Sequence, residues 1–147
     1  MILRLIPILV FLFTISCTSR NAEQVRAQEI YDSAMHIHDE IMPMMDDLYR
    51  QQQRLKKMLI VLKKDSVQHA PKINEIQRKL DALDYAGNAM MDWMHEIKVP
   101  AGTGDELHQE PQMAIAGADE QLIQKSKIEA VCDSMQSSIR NAAAVKE

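Results

Sequence analysis

Apolar residues recur at alternating steps of four and three along the first half of the chain. They run Ile30, Ala34, Ile37, Ile41, Met44, Leu48, then Leu55, Met58 and Leu62, with Gln51 the one polar interruption. A helix turns once in about 3.6 residues, so this spacing makes one stripe, and it predicts a helix over about residues 22–64. Ala34, Ile41, Leu48, Leu55 and Leu62 take the a positions of the seam, and Ile30, Ile37, Met44, Gln51 and Met58 the d positions. Pro43 lies inside this helix, where its missing N–H predicts a kink over the preceding turn. Residues 65–70 break the pattern, and Pro71 suits the first turn of a second helix, about 71–98. There Ile73, Leu80, Gly87 and Met94 at a alternate with Ile76, Leu83, Met90 and Ile97 at d. Residues 99–117 hold three of the four glycines and two of the five prolines and read as a loop. Asp119 and Glu120 then open a third helix, about 119–145, with a thinner stripe of Leu122, Ile128, Val131, Met135, Ile139 and Ala142.

The expected fold is therefore all-α: a long antiparallel helical hairpin, coiled-coil-like, with a third helix packed on it as a three-helix bundle. A fold-back about residue 67 sets Met44 opposite Met90 and brings Ile41 near Trp93 and Met94. So long a seam is equally compatible with a homodimer.

The first sixteen residues follow another rule. Arg4 is followed by an apolar run from Leu5 to Phe13, then a small residue, Ser16, before Cys17. This is the grammar of a secretory signal, and the run is shorter than the roughly 20 apolar residues a membrane span needs. Thr14-Ile15-Ser16-Cys17 resembles a bacterial lipoprotein box, departing from it at Thr14, where that pattern prefers an aliphatic residue. The resemblance implies cleavage before Cys17 and lipid attachment to it, a signal peptide of 1–16 and a single helical domain of 17–147. Secretion with Cys17 free is the alternative. Cys132 is then either buried on a helix or paired between molecules.

Composition excludes much. Two cysteines make neither a disulfide framework nor a structural zinc site, and four glycines argue against a phosphate-cradling loop. No serine or cysteine has an evident histidine base, so no enzyme is expected. Charge is segregated: residues 50–79 hold nine Lys/Arg against two Asp/Glu, a net +7, whereas residues 17–49 net −5 and residues 80–147 net −7. The hairpin thus has a basic tip, represented by Lys63, Lys64 and Lys72, open to a protein or anionic envelope partner or simply solvated. It lacks the aromatic interleaving of a nucleic-acid surface.

Methionine is the anomaly, at eleven residues. Seven fall in the two windows 35–45 and 90–95, together with three of the five histidines. Met44, Met90 and Met94 belong to the seam. Met35, His38, Met42 and Met45 form a second stripe beside it, as do Met91 and His95 on the facing helix. Neutral thioethers and imidazoles gathered this way suit a soft ion, Cu(I) or Ag(I). The same flank is where a third helix would dock, so adaptable core packing is the competing reading. A Met/His haem pocket fares worse, since there is no Cys-x-x-Cys-His and Trp93 is a thin wall. No resident cofactor is expected otherwise. His36 and Asp39, three apart on the opposite face, are expected in solvent.

The segments His38-Asp39-Glu40-Ile41-Met42-Pro43-Met44-Met45, Ala89-Met90-Met91-Asp92-Trp93-Met94 and Lys127-Ile128-Glu129-Ala130-Val131 with Met135 resemble a family of small bacterial lipoproteins. Its members carry the automatic label "viral A-type inclusion protein", a name that borrows from a long viral coiled coil and implies no viral role. The resemblance spans about Glu29 to Ala144 and implies a lipidated leader cysteine and a helical hairpin with a further helix, but no activity. The expectation is a non-enzymatic, exported lipoprotein, held to the bacterial membrane by its lipid on the periplasmic or surface side and acting as a structural or interaction module. The alternative is a soft-metal binder.

Overall fold

The computed structural model describes residues 6–100 and 117–146, with side chains from Ala22 onward. Among these residues the chain is all-helical, without strands: α1 (Ile6–Ile41), α2 (Met44–Leu62), α3 (Ala70–Glu96) and α4 (Ala118–Ala143), with a 3-10 turn at Lys63–Asp65. The helix expected over 22–64 is two helices. Proline has no N–H to give and its ring crowds the carbonyl one turn back. Here that ends α1 at Ile41, and Pro43 (φ −61°, ψ −23°) becomes the N-cap of α2. The chain bridges the gap with a tight turn, in which the Met45 N–H donates to the Met42 carbonyl at 3.1 Å. A discrete break replaces the expected kink. At its other end α1 starts at Ile6, well before the residue 22 expected, whereas the remaining boundaries move by one or two residues; α3 stops at Glu96 because Ile97 turns extended (ψ 133°).

The helices divide into two compact units. The first comprises residues 1–33 and 98–125. In it Glu23 on α1 accepts the Ala118 N–H at 3.1 Å, satisfying an orphan donor at the start of α4, where a negative charge is also favoured by the helix dipole. Gln121 is buried and donates to the Lys98 carbonyl at 2.8 Å, and Lys98 pairs with Glu120. The Leu122 of the expected stripe is exposed; Ala118 and Gln121 take its place inside.

The second unit comprises residues 34–97 and 126–147 and contains the main core: Ala34, Ile41, Leu48 and Leu55 with Ile76, Leu83, Met90, Ile128 and Met135 among others. The a positions to Leu55 are buried as the pattern predicts, but the d positions Met44, Gln51 and Met58 are only half-buried. Their places are taken by Met45, Gln52 and Leu59, one residue further round α2. On α3 the core likewise leaves Gly87 and Met94 for Ala86 and Trp93, so Met94, expected in the seam, is exposed. Gln52 donates to the Asp84 carboxylate at 2.6 Å, and the nearest side chain to Gly87 is that of Leu48. These pairs lie within a residue or so of a fold-back at 67. Arg54 on α2 donates to the Ala142 and Val145 carbonyls, the latter at 3.0 Å, capping carbonyls at the end of α4.

Candidate functional site

His38, in the last turn of α1, is the best-defined polar group near the methionine windows. Its ring stacks on Trp93, with centroids 5.5 Å apart and 26° between planes, and its side chain is only 13% exposed. Nδ1 lies 2.9 Å from the Asp39 carboxylate. A carboxylate can only accept, so Nδ1 carries a proton, and in the neutral form of the ring the lone pair lies on Nε2. That Nε2 is buried with no hydrogen-bond partner, a costly arrangement for a group that binds water well. Met35 and Met42 flank it at i−3 and i+4, the spacing that shares a helix face.

The other predicted ligands are placed differently. Met45 is part of the core instead of a flanking stripe, because the core has rotated toward it. Met42 stands exposed in the break between α1 and α2, and Met35 packs half-buried against the core. Met91 and His95 are exposed on α3, and His95 Nδ1–H donates to the Met91 carbonyl at 2.7 Å. No group of three or more His, Cys, Asp or Glu with metal-site geometry occurs among the described residues. His36 is exposed as expected, pairing with Glu40 at 3.3 Å.

A groove of about 420 Å³ between α3 and α4 is lined by Tyr85, Asn88, Trp93, Glu96, Lys127 and Ser134 among others. The Lys127 ammonium hydrogen-bonds Glu96 across it and holds that carboxyl below the usual carboxylate range. The lining has no histidine or cysteine to pair with Ser134. Cys132 is half-buried in the core flank and accepts from Gln136 at 3.3 Å. Burial first, then the nearby Asp133 and Glu40 charges, push its thiol pKa up, the opposite of an activated nucleophile.

The basic segment lies where α2 passes into α3. Lys63 and Lys64 are exposed on the 3-10 turn, and Lys72, half-buried, pairs with Glu75 at 3.5 Å. The turn has its own order: the His69 N–H donates to the Asp65 carbonyl at 3.3 Å, and the Asp65 carboxylate accepts the Gln68 N–H at 3.4 Å. Thus the acid nearest the lysines helps shape the connection. Three aliphatic side chains stand exposed beside them, Ile60 at 66%, Val61 at 63% and Val67 at 90%.

Sequence reading singled out His38 but not its stacking on Trp93, because periodicity put Trp93 outside the seam. It also missed Arg54, for which no local signal exists: its acceptors lie about ninety residues away. Cys17 falls in α1, and its side chain lies outside the described residues. No described helix is long and apolar enough to cross a membrane. No protein-family model, curated protein or solved structure matches the chain.

Proposed function

We propose that the chain is an exported, non-enzymatic lipoprotein, anchored at Cys17, that serves as an interaction module at the bacterial envelope. In this reading α2 and α3 form an antiparallel hairpin, α4 packs on it, and the connection between α2 and α3 is the contact surface. The observation that carries it is the segregation of charge. Lys63, Lys64 and Lys72 sit in a segment of net +7 within a chain of net −4, beside exposed aliphatic groups. The leader supplies the address: an apolar run, a small residue and Cys17.

Two variants test it. Cys17→Ala should abolish incorporation of labelled fatty acid and release the protein from the membrane fraction. Reversing charge at Lys63, Lys64 and Lys72 to Glu should leave helicity unchanged and lose capture of an anionic partner. A partner held equally well by the reversed surface refutes the interaction reading.

The unpartnered His38 Nε2 favours a second reading, soft-metal binding by His38 with Met35 and Met42. An anaerobic Cu(I) titration against a colorimetric chelator tests it. One equivalent bound tightly and lost in His38→Gln is the expected result; binding no weaker in that variant returns the methionines to packing.

A further inference from the structure

The lysines and aliphatic side chains of the α2–α3 connection point to a partner of definite chemistry. Resting on the interaction reading above, we propose that this connection docks on an anionic phospholipid surface, with Val67, Ile60 and Val61 entering the headgroup region and the surrounding lysines contacting lipid phosphates.

Three observations lead there. First, the cations between residues 56 and 72 are all lysines: Lys56, Lys57, Lys63, Lys64 and Lys72, with no arginine among them. Lysine is a compact point charge on a flexible stem and suits diffuse, mobile phosphates, whereas recognition of a fixed carboxylate or phosphate on a folded partner favours the planar arginine fork. Second, the aliphatic groups stand exposed where a soluble surface gains nothing from them. Val67 is 90% exposed on the turn, and Ile60 and Val61 are nearly two-thirds exposed in the last turn of α2. Aliphatic tips set among cations are the pattern of an interfacial contact, in which apolar atoms sink past the headgroups while ammonium groups stay at phosphate level. Third, the turn is held in shape by its own hydrogen bonds, His69 to Asp65 and Gln68 to Asp65, so binding need not order it first.

The charge and apolar contributions are separable. Each lysine at an anionic surface is worth about five-fold in partitioning, so neutralising three should cost roughly a hundred-fold. Removing the three aliphatic tips while keeping every charge should cost at least about ten-fold.

The test uses the full chain held by its N-terminal end in phosphatidylcholine nanodiscs, mixed with vesicles of phosphatidylcholine alone or with about one third phosphatidylglycerol. Capture is read by co-flotation at low and high salt. Wild type should capture only the phosphatidylglycerol vesicles. Lys63→Gln with Lys64→Gln and Lys72→Gln should lose that capture, and so should Ile60→Ser with Val61→Ser and Val67→Ser. A Val67→Trp variant gives a second readout, a blue shift of its added emission with phosphatidylglycerol vesicles and none with phosphatidylcholine. Circular dichroism of each variant confirms that helicity persists. If the serine variant captures vesicles as well as wild type, or Val67→Trp shows no shift, docking into lipid is overturned while a basic contact surface stands. If the vesicles are ignored and soluble polyglutamate is bound in a lysine-dependent way, the partner is an acidic macromolecule, and lipid docking is again overturned. If neither anion is bound, lipid docking and the anionic-partner reading fall together.

Discussion

Gly87 lies in the interior of α3, where glycine is the weakest helix former after proline. A stripe position facing a neighbouring helix suggests that glycine is there to allow close approach, so that any side chain would clash. The geometry says otherwise. A Cβ built at residue 87 meets the Leu48 methyls at 3.6 and 3.8 Å and the Met45 Cε at 4.0 Å, all ordinary van der Waals contact. Gly87→Ala should therefore stabilise the protein. The helix gains about 1 kcal/mol from the lower backbone entropy of alanine in the unfolded chain, and the new methyl adds a few tenths from dispersion. A gain of about 1 kcal/mol raises Tm by roughly 3–5 °C for a domain of this size. A larger residue reverses the sign: Gly87→Leu must displace Leu48, itself fully buried, and should cost about 1–3 kcal/mol. The assay is urea denaturation of wild type and both variants in the same background, followed by ellipticity and by tryptophan emission. Trp93, the one tryptophan, is 3% exposed and reports loss of this core directly. If Gly87→Ala proves less stable than wild type with an unchanged urea slope, α2 and α3 approach more closely than the Leu48–Gly87 distance indicates, and the reasoning fails.

Three further outcomes are expected. Arg54→Met keeps the stem and removes the donors to the Ala142 and Val145 carbonyls; with Arg54 only half-buried, water recovers part of the loss, leaving a destabilisation of about 1–2 kcal/mol. Amide exchange should quicken at the end of α4 more than elsewhere in the unit. Gln52→Leu should be neutral or slightly stabilising in denaturant melts. Gln52 is 7% exposed whereas its partner Asp84 is exposed and returns to water, so an apolar side chain replaces a buried amide without orphaning a buried charge. Glu96 titrates below the ordinary carboxylate range because of Lys127, so its contribution is present above that range and is lost as pH falls through its own depressed pKa. A carboxyl NMR titration should show this value moving up in Lys127→Met, with only a small change in stability because the pair is exposed.

Much of the fold was legible because helical periodicity and helix punctuation are local. The start of α4 at acidic residues and the start of α3 beside Pro71 follow from backbone chemistry that needs no neighbours. Pro43 announced an interruption, but whether a proline bends a helix or divides it depends on what holds the two halves. Here a turn through Met42 joins them. The candidate site was legible as residue types only. Two windows rich in methionine and histidine could be named, yet their roles depend on which arc of each helix faces the core.

That arc is what sequence alone leaves open. A stripe at steps of three and four marks a helix face to within about one residue, enough for an isolated two-helix seam. In the second unit, residues of three helices and the end of α1 share one core, so α2 buries a wider arc that includes Met45, Gln52 and Leu59. This moved Met45 from a possible ligand into packing, chose Gln52 over Gln51 as the buried amide, and brought Trp93 inside, where His38 stacks on it. The sequence by itself determined the helical segments, the places where proline and loop residues interrupt them and the segregation of charge, because these follow from the chemistry of neighbouring residues. Only the tertiary structure decided which side chains meet, because burial is settled by partners far along the chain.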